Sequence, residues 1–206
     1  QRQMCIRDSS DTVDILFKLN ESAFQGGAIY TAKKLQFLNN GSIAFVGNEA
    51  GNAVQGNSTS TGSTRGGAIS VSGSYAELIF DGNVSLLFQE NKTKWSGGGA
   101  IYLLGKGMSI CNTTGSVSFY KNVAGSAGGA VYGTSSSGMI FDNNLSLVFE
   151  ENKANTNGGA IWAEIVDVSL TENGTLQFIN NQAVESGGAL YYHYGNTSLV
   201  NINNNA

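Results

Sequence analysis

Two aspartates, a histidine and a cysteine are the residues of this 206-residue chain whose types and spacing could do chemistry. Asp81 and Asp142 hold the same place in two similar segments, LIFD and MIFD, with Cys111 or Asn112 at the corresponding place between them. Paired carboxylates are the machinery of glycoside hydrolysis. Two repeat units apart at β-strand spacing, these two would stand about 9–10 Å from each other, at the edge of an inverting pair's separation. No acid-rich, Arg-bearing neighbourhood accompanies them, so they read as Asx-type turn residues. A catalytic-triad or metal role for His193, the only histidine, would need partners that nothing in the spacing identifies, and it reads as a surface residue. Cys5 and Cys111 are too few for a disulfide framework. Gly-Gly recurs, but Ala and an aliphatic follow it rather than a calcium ligand, and Gly97-Gly98-Gly99 lacks the Lys-Ser/Thr of a phosphate loop. The expectation is a non-enzymatic chain with no catalytic residue, cofactor or metal; the alternative is a carbohydrate-active lyase or hydrolase.

The elements that would position these residues are repeats. A Gly-Gly-Ala-aliphatic tetrad occurs six times, starting at Gly26, Gly66, Gly98, Gly128, Gly158 and Gly187. Phe-x-x-Asn also occurs six times, in strict alternation with it: Phe17/Asn20, Phe45/Asn48, Phe88/Asn91, Phe119/Asn122, Phe149/Asn152 and Phe178/Asn181. The offsets from Phe to the next Gly-Gly are 9, 21, 10, 9, 9 and 9. The outlier of 21 comes from a polar, low-complexity insertion at 51–65. Between the two signatures lie segments such as LIFDGNVSLLF and MIFDNNLSLVF, each an alternating strand, an Asn/Gly/Asp turn and a second alternating strand. Constant units of roughly 30 residues, three short strands in each and no helix, predict an all-β fold: a right-handed parallel β-helix of about six coils. A helical solenoid of similar period would bury Gly-Gly inside a helix once per repeat, at roughly 2 kcal/mol each time.

Stacking turns repeats into ladders. The aliphatic after each Gly-Gly-Ala and the Phe row (Phe45, Phe88, Phe119, Phe149, Phe178) are expected inside, and the Gly pair at a corner that needs positive φ and close approach. Asn48, Asn91, Asn122, Asn152 and Asn181 are expected to take left-handed geometry and to bond one another in an amide ladder. Beside the aliphatic stand Tyr30, Ser70, Tyr102, Tyr132, Trp162 and Tyr191. By alternation this row faces outward. It is either a stiffening stripe or a flat strip that grips a glycan or protein, so Tyr30, Tyr102, Tyr132, Trp162 and Tyr191 are the candidate binding stripe. The sequon N-x-[ST] occurs nine times, at Asn20, Asn40, Asn57, Asn83, Asn91, Asn112, Asn144, Asn173 and Asn196. Repeated turn chemistry and a secreted glycoprotein both account for it.

Composition narrows the rest. Hydrophobic residues at 41% and aromatics at 10% are too many for a disordered tail. A net charge of −4 with no Lys/Arg cluster leaves no footprint for nucleic acid. No run is long and apolar enough for a spanning helix. Residues 1–10 share nothing with the repeats and read as a non-native scar or tail, leaving 11–206 as one repeat domain from a longer protein, with the insertion at 51–65.

Alternating GGA[ILV] and FxxN in six copies each resembles the repeat region of the chlamydial polymorphic membrane proteins, from about Thr12 to the C-terminus. The resemblance implies the β-helical passenger of an autotransporter, secreted or displayed at the cell surface or outer membrane. It implies adhesion to a protein or glycan on a host or neighbouring cell. Membrane attachment would come only through flanking regions. A purely structural surface component is the further alternative. Coils left open at the ends are expected to associate end to end.

Overall fold

The computed structural model describes residues 12–51, 64–134, 138–164, 166–193 and 199–205. The tail expected at 1–10 with Cys5, most of the insertion, Asn57, Asn196 and Tyr194 lie outside the described residues.

Period-two alternation makes each apolar segment a strand with one dry face. Asn, Asp and Gly at fixed intervals keep the strands short, five residues at most. After four strands the chain returns directly above its start. Six such circuits give four parallel six-stranded sheets in a right-handed β-solenoid. The Phe sheet comprises Ile15–Lys18, Ser42–Val46, Ser85–Gln89, Ser116–Tyr120, Ser146–Glu150 and Leu176–Ile179. The strands after Gly-Gly-Ala are Ile29–Thr31, Ile69–Ser72, Ile101–Leu104, Val131–Gly133, Ile161–Glu164 and Leu190–His193. The Leu-x-Phe sheet comprises Leu35–Leu38, Glu77–Asp81, Gly107–Cys111, Met139–Asp142, Val168–Thr171 and Val200–Asn203. The expectation of three strands per coil is corrected to four. Two-residue strands such as Lys92–Thr93 and Lys153–Ala154 pair in parallel just after each ladder Asn. Two residues are too few to print an alternation in the sequence.

The interior is a set of columns. Phe17, Phe45, Phe88, Phe119, Phe149 and Phe178 stack with centroids 4.6–5.0 Å apart and planes within 6°. Phe37, Phe80 and Phe141 stand edge-on to them from the Leu-x-Phe sheet, at 80–88° for Phe37 with Phe45 and Phe141 with Phe149. Each buried ring contributes roughly 1.5–3 kcal/mol.

The corners hold the polar ladders. Asn91 Oδ1 accepts from the Asn48 backbone N–H at 3.0 Å and from Asn48 Nδ2 at 2.8 Å. Its own amide donates to Phe45 O at 2.9 Å and Asn122 Oδ1 at 3.0 Å. Every hydrogen-bonding atom of that buried amide is used, which is the condition for placing it in a core. The left-handed residue is not the Asn, as expected, but the one before it: Leu19, Gly47, Glu90, Lys121, Glu151 and Asn180, with φ of 52–62°. That geometry swings the following Asn inward. The Gly pair divides its work. The first glycine has φ of 60–71° in all six copies. A Cβ on the second, at Gly67, Gly99, Gly129 or Gly159, would lie 2.0 Å from the carbonyl oxygen of the next coil's glycine.

Candidate functional site

The candidate stripe is in register, Tyr30 to Ser70 to Tyr102 to Tyr132 to Trp162 to Tyr191. Tyr102, Tyr132 and Trp162 stack at 4.8 and 4.2 Å, opposite a buried aliphatic column. Its exposure is where the expectation fails. Tyr102 is 6% and Trp162 8% exposed, and only Tyr30, at 53%, is open. The chain between the two-residue strand and Gly-Gly folds back over the rings. Arg65 lies 5.0 Å above the Tyr102 ring, and a Cβ at Gly97 would meet the Tyr132 ring at 2.3 Å. Burial, outweighing the nearby Arg65 charge, pushes the Tyr102 hydroxyl above its ordinary pKa. Burial also raises Tyr132, reinforced by Tyr102 and Glu164. The stack is therefore a neutral, covered element of the wall, and along its middle it offers no flat strip to a ligand.

Asp81 and Asp142 do share a row: Leu38, Asp81, Cys111, Asp142, Thr171, Asn203. Asp81 Oδ1 accepts from Asn112 Nδ2 at 2.7 Å, and Asp142 Oδ1 accepts from the Thr171 hydroxyl. Each carboxylate is held by a side chain of the following coil rather than by its own turn, and the row contains no Lys, Arg or His. Burial first, then the charge of Asp142, pushes the Cys111 thiol up to about 11, which leaves a poor nucleophile near neutral pH. His193 lies beside Glu164, Nδ1 to Oε1 at 3.5 Å. Among the described residues no group of three or more His, Cys, Asp or Glu is arranged to hold a metal.

Several sequons lead inward. Asn83, Asn91, Asn144 and Asn173 are buried. Asn83, Asn144 and Asn173 belong, with Asn40 and Asn205, to a second amide ladder at the turn before the Phe sheet. A glycan on these side chains is incompatible with the fold. The amide ladders, copied by the repeat, are what recurs at these four positions.

Sequence reasoning passed over Trp95, although a signal was present. Phe88 lies 10 residues before its Gly-Gly where four other coils have 9. The extra residue sits at the corner after Lys92–Thr93, and there Trp95 is pushed out to 50% exposure.

Residues 116–134, 146–164 and 175–192 match the family model described as the Chlamydia polymorphic membrane protein (Chlamydia_PMP) repeat. The chain carries repeats of this family. No solved structure matches it significantly. Each matched polymorphic membrane protein repeat begins in or beside a Phe-sheet strand and runs through the ladder Asn, the corner and Gly-Gly-Ala to the strand beyond. It therefore contains the Phe column, the amide ladder and the glycine contact together.

Proposed function

We propose that this chain is part of a surface-displayed or secreted β-helical passenger, acting as a rigid stalk that carries an adhesion surface for a protein or glycan on a host or neighbouring cell. The observation that supports it best is the continuity of the ladders. Phe on Phe and Asn on Asn pass through every coil, so the outer surface is held on a stiff, extendable rod. The membrane association named in the repeat family agrees with display outside the cell. No helix among the described residues is long and apolar enough to cross a membrane, so a bilayer anchor would come from flanking sequence or from strands.

The test pairs binding with turnover. Purified chain is applied to cultured epithelial cells and to a panel of immobilised glycans, and hydrolysis or elimination is followed on the same polysaccharides. Saturable binding without turnover, unchanged by Asp81→Asn with Asp142→Asn, is the expected result. Turnover that those substitutions abolish would move the chain to the carbohydrate-active class, and no saturable binding to either target would make it a purely structural component.

A further inference from the structure

Trp95 is the place where the wall of the rod departs from its pattern with a chemically expensive side chain. Trp162, the other tryptophan, is tucked into the aromatic stack, while Trp95 keeps half its surface open to water. The bulge that carries it is held in place. The Trp95 backbone N–H donates to Thr64 Oγ1 of the preceding coil at 3.2 Å, and the buried Thr93 hydroxyl donates to Ser96 O at 2.9 Å. In the following coil Gly125 leaves the necessary room, since a Cβ there would lie 2.0 Å from Lys94 O and 2.7 Å from Trp95 N. Two neighbouring coils are thus shaped around the bulge.

The surroundings select the occupant. A tryptophan at the centre of a protein interface sits in an apolar patch ringed by neutral contacts. Among the described residues the neighbours include Lys94, Ser96, Thr64 and, in the next coil, Ser126, and the charge that lies over the ring is cationic. Lys94 Nζ lies 5.2 Å from the Trp95 ring centroid, and no carboxylate among the described residues is within salt-bridge distance of it. Lys92, also exposed, precedes it by two residues and faces outward, with Glu49 beside it in the ladder. A half-exposed aromatic face set among hydroxyls suits the apolar C–H face of a pyranose ring, and an ammonium with no carboxylate partner among the described residues suits an acid group on that ring.

We propose that Trp95 and Lys94 form a binding subsite for an anionic glycan, with the sugar ring on the indole and its carboxylate or sulfate on Lys94. This deepens the adhesion reading and rests on it.

Tryptophan fluorescence of the full chain tests the proposal, with oligogalacturonate, dextran sulfate and neutral dextran as probes. The expected result is a saturable blue shift with one or both anionic probes and none with dextran. The shift should persist in Trp162→Phe and vanish in Trp95→Ala. In Lys94→Ala the affinity should fall roughly tenfold, the loss of one charge-assisted contact. A carboxylate ligand is read from oligogalacturonate alone, a sulfate ligand from dextran sulfate alone. An equal response to dextran, a response that survives Trp95→Ala, or no response to any probe would overturn the proposal. The Trp95 side chain lies outside the core, and cooperative urea unfolding of the variant confirms that the fold is kept. Cell binding separates the two readings: if it persists unchanged in Trp95→Ala, only the subsite falls, and if the unaltered chain binds neither cells nor glycans, both do.

Discussion

A single side chain interrupts the second amide ladder. Asn40, Asn83, Asn144, Asn173 and Asn205 share one position, but the coil between Asn83 and Asn144 has Thr113 there. Its hydroxyl is buried and unpartnered, whereas Asn83 and Asn144 in the adjacent coils donate their amides to Phe37 O and Ile110 O. Because the neighbouring coils already accommodate Asn in this pocket, Thr113→Asn should complete the row and stabilise the protein by about 1–2 kcal/mol. Urea titration reads this directly, as a higher midpoint at unchanged slope; an unmoved midpoint would mean the gap is already satisfied. The opposite change, Asn122→Ala, strands the buried N–H groups that Asn91 directs at Asn122 and should cost roughly 2–4 kcal/mol by the same titration. Cys111 supplies a pH dependence. Its thiol rises from 9.0 to about 11 on folding, so between those values the native state holds a proton that the unfolded chain has released. Stability is intact below about pH 9 and falls as pH rises toward 11, with the raised Tyr102 acting in the same direction. Urea midpoints at pH 8 and pH 10 should show the loss, and Cys111→Ala should lessen it; a flat profile would contradict the burial of the thiol.

Each corner is set by backbone conformation, and here chemically different residues do one job. Gly47 and Glu90 occupy equivalent left-handed positions, at φ of 62° and 55°. An L-residue there is strained by roughly 1–2 kcal/mol, and Gly adds flexibility to the unfolded chain worth roughly 0.4–1 kcal/mol. Glu90→Gly should therefore stabilise by about 0.5–1 kcal/mol, visible as a higher melting temperature; a lower one would show that the strain is already relieved. Gly99→Ala is the contrary case. Its Cβ would meet Gly129 O at 2.0 Å and Val123 N at 2.6 Å, both backbone atoms that can move only by opening the ladder. The corner also marks the limit of what the sequence showed. Phe17 to Phe178 and Asn20 to Asn181 were legible because identical side chains recur at constant spacing and stacking uses that constancy. The second Phe column was harder to see, since Ile110 and Leu170 replace Phe along it. The covering of Tyr102 and Trp162 was not legible at all. Alternation tells which side of a strand a residue is on, and nothing about chain that folds back over that side.

At the scale of the whole rod, each coil is stabilised by the two it touches, so the same substitution should cost more in the middle than at either end. Phe119 is fully buried, sandwiched at 4.7 and 4.8 Å between Phe88 and Phe149. Phe178 is only partly buried and, among the described residues, stacks on Phe149 alone. Phe119→Ala is expected to cost about 3–5 kcal/mol and Phe178→Ala roughly half as much. Comparable losses would mean that the coils do not behave as neighbours in a one-dimensional stack. The open faces that cheapen the Phe178 substitution have a second consequence. Among the described residues the strands Ile15–Lys18 and Leu176–Ile179 pair on one side only, at opposite ends of the Phe sheet. The other three sheets end in the same way. The sheet edges that the described residues leave unpaired and the half-covered columns at both ends are complementary to each other, because every coil is built to receive the next. We therefore expect the isolated chain to associate head to tail, with a sedimentation-average mass that rises with concentration from micromolar to hundreds of micromolar. A contact made by coil on coil runs in one direction, so it should yield a series of oligomers instead of stopping at a closed dimer. A mass that stays at the monomer value across that range would show that the terminal coils cap themselves, and a mass that levels off at the dimer would place the contact on a side wall of the rod.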